Sequence, residues 1–309
     1  MTAPKKPTLR PPAPASLRPL KGVRILSLAL NLPGPAALMR CQQMGARCVK
    51  LESPAGDPMR HYAPAAYAAL HHGVRISSAD LKTEAGQKTL HRELAKTDVL
   101  LTSFRPSALV KLGLTWRALH KQYPQLSQVA IVGGPGLEAE APGHDLTYLA
   151  ENGLLTGLDL PATLYADMGG SLMASEAVLQ AVLHQRATSQ AANLGTGSGV
   201  FLEVALSSAA SYLALPRTWG LTTPGAAVGG GHAGYQIYAC KDGRVAVAAL
   251  EPHFAARLCA AAGVALARPQ DMFAAATHKQ LGQYFKRQTC AALAELAVAH
   301  DIPLHALAG

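Results

Sequence analysis

The sequence predicts an α/β protein, with a mostly parallel sheet in a large domain and a smaller α+β domain after it. Two patterns carry this prediction. In the first two thirds of the chain, short apolar runs alternate with amphipathic stretches of helical period, as in parallel sheets whose strands are joined by helices. In the last third, two apolar runs flank Lys241-Asp242-Gly243, which is a strong hairpin signal.

The elements of the large domain follow one another in a Rossmann-like order. The strands are expected at Val23–Leu30, Arg47–Leu51, Val74–Leu81, Asp98–Phe104, Leu126–Val132 and in the run FLEVAL that begins at Phe201. Between them, helices are expected from Gly34-Pro35 to about Gln43, over Lys82–Lys96, within 105–122 and over Gly170–Arg186. Because connections between parallel strands are right-handed crossovers, this alternation favours a single sheet covered by helices.

The chain divides into four predicted parts. Residues 1–19 form a basic, Pro-rich tail that is expected to be disordered, and residues 20–200 form the large domain. Residues 201–225 are interpreted as a linker, and residues 226–309 as the small α+β domain. Gly229-Gly230-Gly231 is the clearest hinge signal in the sequence.

Composition excludes several classes of protein. At 309 residues and 49% hydrophobic content, the chain can bury a large core, yet no apolar run approaches the roughly 18 residues of a membrane span. The N-terminal stretch lacks the apolar segment of a secretory signal. The cysteines are scattered without a CxxC pair, which favours a reducing cytoplasmic compartment over a disulfide framework or a zinc site. They are Cys41, Cys48, Cys240, Cys259 and Cys290.

The formal net charge of +9 calls for an anionic partner. Nucleic acid is not favoured, because the basic residues are dispersed and only 5% of residues are aromatic and able to stack on bases. A small polyphosphorylated ligand uses the same positive potential. We expect neither a nucleic acid nor a membrane as partner, but the charge alone does not identify the ligand, because part of the excess lies in the N-terminal tail.

Two polar loops hold the candidate catalytic residues. One contains Gly143-His144-Asp145, and the other contains Asp167 shortly before Gly169-Gly170. Imidazole and carboxylate are the usual groups for moving protons near neutral pH. The alternative is structural: Asp145 and Asp167 each cap a helix that starts beside them. Glu251, which closes a strand of the small domain, is open to both interpretations as well.

Other sites with known sequence signatures are not indicated. The chain has no GxSxG, P-loop or HExxH motif, and the run GTGSG precedes a strand, unlike a phosphate-binding loop. No metal site is predicted. Five further histidines are expected on solvated surfaces, namely His71, His72, His91, His120 and His184.

Several segments together resemble the family III CoA-transferase superfamily, which includes the α-methylacyl-CoA racemases. The resemblance runs from about Leu20 to Val264. It rests on the order and spacing of AALMRCQQMGARCVKLE at Ala36, PAGDPMR at Pro54, TDVLLTSFRPSALVKLGL at Thr97 and QRATSQAANLGTGSGVFLEVAL at Gln185. It implies an acyl-CoA enzyme, with coenzyme A as part of the substrate and no permanently bound cofactor.

The resemblance also implies roles for individual residues. Transferases of the superfamily use one aspartate as a covalent nucleophile, and Asp167 stands at that position. Racemases keep the aspartate, add the histidine of a GHD motif, here His144, and carry a glutamate in an EPxF motif, here Glu251. The expected reaction is racemisation or epimerisation of a 2-methylacyl-CoA thioester by two bases, with the backbone N–H of Asp145 stabilising the enolate.

Residues that contact coenzyme A are implied at strand ends and helix starts of the large domain. Arg and Lys at such positions bind phosphates, and the alternative is a solvated basic face. The implied set is Lys82, Ser103, Phe104, Arg105, Lys111 and Leu112.

The end of the sequence bears on assembly. Members of the superfamily continue beyond the small domain and return to the large one, so that two protomers interlock. The chain ends at Gly309, and the expectation is that this return segment is missing. An intertwined homodimer is still the expected assembly. Besides racemase, the sequence leaves open a CoA transferase and a non-catalytic acyl-CoA-binding protein.

Overall fold

The computed structural model describes residues 17–192 and 197–309, and these residues form two compact units. The first unit ends at Leu213, and the second runs from Ala214 to Gly309. Most of the predicted tail over 1–19, and part of the predicted turn at Gly195–Gly199, lie outside the described residues.

A parallel six-stranded sheet forms the centre of the first unit, as the alternating pattern predicted. Its order, β3-β2-β1-β4-β5-β6, is the doubly wound order in which two halves run outward from adjacent strands. Strands β4 and β5 are buried along their whole length, and apolar residues dominate both, as in parallel sheets covered on two faces. The strands are β1 (Arg24–Ser27), β2 (Arg47–Glu52), β3 (Arg75–Ser78), β4 (Val99–Thr102), β5 (Ser127–Val132) and β6 (Phe201–Ala205).

Helices cover the sheet and begin at recognisable start signals. Thr83 precedes α4, and its hydroxyl accepts a hydrogen bond from the Gly86 N–H at 3.1 Å. Proline occupies the first turn of α1, α3 and α5, where its missing N–H costs nothing. The helices are α1 (Pro33–Gln43), α2 (Met59–Tyr62), α3 (Pro64–Leu70), α4 (Glu84–Leu94), α5 (Pro106–Lys111), α6 (Trp116–Gln122), α7 (Asp145–Glu151), α8 (Tyr165–Ala192) and α9 (Leu206–Leu213).

Helix α8 begins five residues earlier than the sequence predicted. The pair Gly169-Gly170 was interpreted as its start, with Asp167 as the cap. The structure corrects this: a Cβ on Gly170 would lie 2.2 Å from the Leu206 side chain, so this glycine permits close packing of α8 against α9. Asp167 is therefore the third residue of the helix and not its cap.

The predicted linker over 201–225 is wrong in its first half. Phe201–Ala205 is strand β6, which pairs with β5 from Gln128↔Phe201 to Val132↔Ala205, and α9 follows it at once in the same unit. The boundary lies between Leu213 and Ala214, and the predicted hinge at Gly229–Gly231 falls inside the second unit. The apolar face of FLEVAL belongs to the sheet, whereas a linker would leave it in water.

The second unit is an α+β structure built on an antiparallel sheet. Strands β7 and β8 form the predicted hairpin around Lys241-Asp242, and β9 pairs with the other edge of β8. Phe285 and Leu258 lie in its core. The remaining elements are α10 (Leu215–Thr218), α11 (Pro252–Ala262), α12 (Ala275–Arg287), α13 (Cys290–Ala299), β7 (Tyr235–Cys240), β8 (Gly243–Ala248) and β9 (Leu304–Ala308).

None of the helices in the described part of the chain combines the length and the apolar character that crossing a bilayer requires.

Candidate active site

A cavity of about 290 Å³ opens at the carboxyl ends of β1, β4 and β5 in the first unit. This is the point where the strand order reverses direction, and open α/β sheets bind ligands in the crevice that forms there. The cavity contains five of the predicted site residues: Ser103, Phe104, Arg105, His144 and Asp167. The volume is at the lower end of the range of about 300–1,000 Å³ for small-molecule sites.

The crevice is closed at its base by a hydrogen bond between the loops after β1 and β4. The Leu30 N–H donates to the Ser103 hydroxyl at 3.0 Å. Strand β1 was predicted to continue to Leu30, but it ends at Ser27, and the chain then turns to line the cavity. The Ser103 hydroxyl therefore helps to shape the site by holding the backbone of Leu30.

Asn31, a cavity residue that the sequence did not reveal, has a backbone conformation that is rare outside glycine. Its φ is 61°, in the left-handed region where asparagine is enriched. Its N–H donates to both carboxylate oxygens of Asp57, at 3.2 Å each. Asp57 also accepts the Met59 N–H at 2.9 Å, so one buried carboxylate fixes both this turn and the start of α2.

His144 lies at the start of α7 and is exposed to solvent. Its backbone N–H donates to the Thr147 hydroxyl at 3.1 Å, and that hydroxyl donates to the His144 carbonyl at 2.8 Å. These bonds fix the backbone at the helix entry while the imidazole remains at the cavity wall.

Asp145 caps a different helix from the one expected. Its carboxylate accepts the Asp167 N–H at 3.0 Å, so it satisfies one of the free donors in the first turn of α8. The backbone N–H of Asp145 is the first of α7 and has no acceptor among the described residues. Asp145 is itself buried, and it brings a second carboxylate close to Asp167.

The pKa of Asp167 is raised to about 6. Burial is the largest cause, because removal from water disfavours the charged form, and the neighbouring Asp145 carboxylate raises it further. His144 acts in the opposite direction. A carboxyl group with a pKa near neutrality is suited to both accept and return a proton.

Tyr148 forms part of the cavity wall and was not predicted. It is buried on α7, one turn after His144. A Cβ on Gly133 or on Gly143 would lie 2.4 or 2.5 Å from its hydroxyl oxygen, so only glycine fits at both positions. Gly133, directly after β5, and Gly143, directly before His144, therefore make room for this ring.

The predicted coenzyme A residues fall into two groups. Phe104 and Arg105 line the cavity with Ser103, and the Arg105 guanidinium forms no ion pair within the described residues. Lys82, Lys111 and Leu112 do not line it. Lys82 lies just before α4, and Lys111 and Leu112 lie at the end of α5. The two segments are neighbours, since the Gln87 side chain donates to the carbonyls of Leu81 at 2.6 Å and Leu112 at 3.4 Å. Their contact with coenzyme A stays a prediction.

Glu251 belongs to the second unit, where it immediately precedes α11. Pro252 occupies the first position of that helix. The catalytic role that the resemblance implies for Glu251 stays a prediction.

Among the described residues, two groups of side chains have the atoms to hold a metal ion. In the first, the ligand atoms of Glu52, Asp57 and His71 lie within 4.8 Å of one another, but the buried Lys50 ammonium already occupies their centre. The second is Cys240, Asp242 and Cys290. The Lys50 ammonium therefore already serves as the cation of the first group. Within the described residues, no ion pair supplies a cation to the second group.

His71 corrects a sequence expectation. It was expected on a solvated surface but is buried: its Nε2 lies 3.0 Å from Lys50 Nζ, and its Nδ1 lies 2.7 Å from the Tyr67 carbonyl oxygen. The carbonyl requires a proton on Nδ1, so Nε2 accepts from the ammonium. Burial is the largest cause that lowers the pKa of His71. The imidazole is thus a neutral member of the Lys50 cluster.

Comparison with known proteins gives the family. The sequence matches CoA-transferase family III over residues 20–308. It is 30% identical over 255 residues to human α-methylacyl-CoA racemase, covering 76% of this chain and 62% of that protein. It is 36% identical over 149 residues to cinnamoyl-CoA:phenyllactate CoA-transferase of Clostridium sporogenes, covering 44% of this chain and 36% of that protein.

A solved structure shares the architecture. A CaiB/BaiF family protein from Brucella suis is 26% identical, with a TM-score of 0.73 over 93% of this chain and 83% of that one. The chain spans about half the length of the curated relatives it matches. The match over nearly the whole sequence nevertheless shows that this chain belongs to CoA-transferase family III.

Proposed function

We propose that this protein racemises or epimerises 2-methylacyl-CoA thioesters by moving the proton next to the thioester carbonyl. The observation that carries the proposal is the pairing of His144 with an Asp167 of raised pKa in one cavity at the switch point of the sheet. The similarity to α-methylacyl-CoA racemase over 255 residues supports the same reaction class.

The two groups have complementary roles. To invert the α-carbon, a proton must leave from one face of the substrate and another must return to the opposite face. One base on each face does this, because neither base then has to move across the substrate. His144 serves as one base and Asp167 as the other. Because the pKa of Asp167 is about 6, both protonation states are accessible near neutral pH, and the carboxyl group can act in either direction.

The intermediate is an enolate, whose negative oxygen requires hydrogen-bond donors. The Asp145 N–H, which has no acceptor among the described residues, is the candidate donor at the start of α7. Arg105 is the cavity cation for a phosphate of coenzyme A, and Lys82 and Lys111 extend this positive surface beyond the cavity. Coenzyme A enters and leaves with the substrate, and Glu251 of the second unit is a further candidate catalytic residue, as the resemblance implies.

The test is solvent isotope exchange in the full chain. A single enantiomer of a 2-methylacyl-CoA is incubated in D₂O without any acceptor acid. We expect deuterium at the α-carbon and loss of optical purity at matching rates, and both should be slowed by roughly 10²–10⁴-fold in the Asp167→Asn and His144→Gln variants. Folded protein that binds the thioester without exchanging its α-proton would refute proton transfer.

CoA transfer is the second candidate, because the 36% identity to a CoA-transferase exceeds that to the racemase. Asp167 would then attack the thioester carbonyl, form a mixed anhydride and release the CoA thiolate. Hydroxylamine trapping in the presence of an acceptor acid, with an adduct on Asp167 that Asp167→Asn lacks, would identify this reaction. Acyl-CoA binding with neither chemistry would identify a non-catalytic binding protein.

We also propose that the protein is a homodimer, as the resemblance to the superfamily implies. Sedimentation velocity of the full chain tests it. A species of one chain's mass at micromolar concentration would contradict it.

A further inference from the structure

The second unit brings together two thiols and a carboxylate that are far apart in sequence. Cys240 ends β7, Asp242 lies in the hairpin turn, and Cys290 begins α13, fifty residues later. The Cys240 and Cys290 sulfurs lie 3.5 Å apart, and the Cys240 sulfur lies 3.9 Å from Asp242 Oδ1. All three ligand atoms lie within 4.8 Å of one another.

We propose that Cys240, Asp242 and Cys290 form a binding site for a zinc ion, independent of the acyl-CoA site. A tetrahedral zinc with Zn–S bonds of about 2.3 Å and Zn–O bonds of about 2.0–2.2 Å requires edges of roughly 3.8 Å between sulfurs and roughly 3.5 Å between sulfur and oxygen. The observed separations of 3.5 and 3.9 Å match these edges within a few tenths of an ångström.

The backbone holds the three residues in place without a metal. The Lys241 N–H donates to the Gln288 carbonyl at 2.8 Å, which ties the hairpin turn to the segment before α13. The Cys290 N–H donates to Asp242 Oδ1 at 2.7 Å, which fixes the carboxylate over the helix start. A carboxylate oxygen has further lone pairs, so this bond leaves it able to coordinate a cation.

The charge of the cluster also favours a cation. Within the described residues, no lysine, arginine or histidine side chain forms an ion pair with Asp242. This contrasts with the Glu52–Asp57–His71 group, whose centre is occupied by Lys50. A disulfide would leave the carboxylate beside an uncharged sulfur pair, whereas a divalent ion uses all three groups.

The ligand set selects the metal. Thiolates prefer zinc to magnesium or calcium, which take oxygen ligands. Binding replaces the two thiol protons, which pass to the buffer, and forms two zinc–sulfur bonds and one zinc–oxygen bond. Asp242 is exposed and the cysteines are half-buried, so the fourth position is open to water. We therefore expect a site that exchanges its ion, in contrast to the closed four-ligand sites of zinc fingers.

The experiment uses the full reduced chain without a polyhistidine tag, freed of metal by a chelator and titrated with Zn²⁺. We expect one ion per chain, and X-ray absorption at the zinc edge should find two sulfur neighbours at about 2.3 Å. Cys290→Ser should weaken zinc binding by at least about 100-fold, more than the loss of an outer-shell partner costs. Asp242→Asn, which keeps an acceptor for the Cys290 N–H, should weaken it less and retain both sulfurs.

Cys259→Ser is the matched control, because that thiol lies in the same unit but packs against Met272 at 3.6 Å. It should leave zinc affinity unchanged. If Cys290→Ser does not fold, alkylation of the cysteines in the wild-type protein is the alternative test. Bound zinc should then protect Cys240 and Cys290 together from alkylation. Zinc bound through nitrogen and oxygen alone, unaltered affinity in Cys290→Ser, or a disulfide that forms in zinc-saturated protein would each overturn the proposal.

Discussion

Asp57 and Asp167 are both carboxylates removed from water in the first unit, yet their surroundings are opposite. Asp57 is fully buried and ion-paired with the fully buried Lys50, and it accepts backbone N–H groups from Asn31 and Met59. Asp167 lies beside a second carboxylate, Asp145, and its pKa is raised to about 6. Only His144 acts against that increase.

The difference separates a structural carboxylate, Asp57, from the candidate catalytic one, Asp167. Around Lys50, two acidic groups are balanced by the ammonium and by Arg60, which lies 3.2 Å from Glu52. Such a cluster holds the Asn31 turn in place. Around Asp167 the charge is not balanced, so protonation is easy. Uncompensated burial, rather than burial itself, marks the candidate site.

The largest expected effect is on catalysis. Asp167→Asn and His144→Gln should each lower α-proton exchange by roughly 10²–10⁴-fold, because a positioned base contributes that much to the rate. Glu176→Gln, an exposed carboxylate on the same helix, is the control and should leave the rate unchanged. Exchange that survives in Asp167→Asn would place the base elsewhere.

The next effect is on stability and concerns the balanced cluster. Lys50→Met should lower the free energy of unfolding by about 3–5 kcal/mol, because Glu52 and Asp57 then remain buried without their cation. Urea denaturation measures it. Adding Asp57→Asn to Lys50→Met should restore part of the loss, whereas Lys82→Met, at an exposed position, should cost less than about 0.5 kcal/mol. If the effects of Lys50→Met and Asp57→Asn on the free energy of unfolding simply add, the two side chains are not coupled.

Replacing the carboxylate of Asp167 should have the opposite effect and raise the free energy of unfolding. Since its folded pKa of about 6 exceeds the ordinary unfolded value of about 3.9, the folded protein binds more protons between these pH values. The wild type therefore loses stability as pH rises from about 4 to about 6. Asp167→Asn should be more stable by about 1–3 kcal/mol above pH 6 and equal to wild type below pH 4.

Thermal unfolding across this pH range measures the difference. Asp159→Asn, an exposed carboxylate in the loop before α8, is the control and should differ from wild type by the same amount at every pH. A pH-independent difference for Asp167→Asn would show that its carboxyl group titrates normally.

The smallest effect concerns the neighbour that raises the pKa. Asp145→Asn keeps an oxygen that can accept the Asp167 N–H but removes the charge. The pKa of Asp167 should fall, so the acidic limb of the plot of exchange rate against pH should move to lower pH. This shift should be smaller than the increase in pKa that burial causes, because burial is the largest cause. Glu151→Gln, at the other end of α7, should leave that limb in place.

Local sequence patterns predicted most of the first unit and the hairpin of the second. The alternation of apolar runs and helical stretches predicted the parallel sheet, and Lys241-Asp242-Gly243 predicted the hairpin. The same patterns misplaced the start of α8 and the extent of the linker. Both errors have one cause: glycines and apolar runs were assigned a local role, whereas Gly170 and the FLEVAL strand serve contacts with distant elements.

The candidate site was predicted in part for the same reason. His144 and Asp167 stood out by residue type, and the cavity brings them together with Ser103, Phe104 and Arg105. Tyr148 and Asn31 gave no such signal, because a tyrosine on an amphipathic helix and an asparagine in a loop are ordinary locally. The spacing of Gly133 and Gly143 around Tyr148 becomes meaningful only once the three are in contact.

By itself, the sequence determined the fold class, the family and the polar residues available for proton transfer, since these depend on periodicity, composition and motif order. Only the tertiary structure decided which charges are balanced and which are not. Lys50 neutralises Asp57 and Glu52, Asp145 raises the pKa of Asp167, and Cys240 meets Cys290 across fifty residues. Electrostatic and coordination energies depend on distances of a few ångströms, and folding sets those distances.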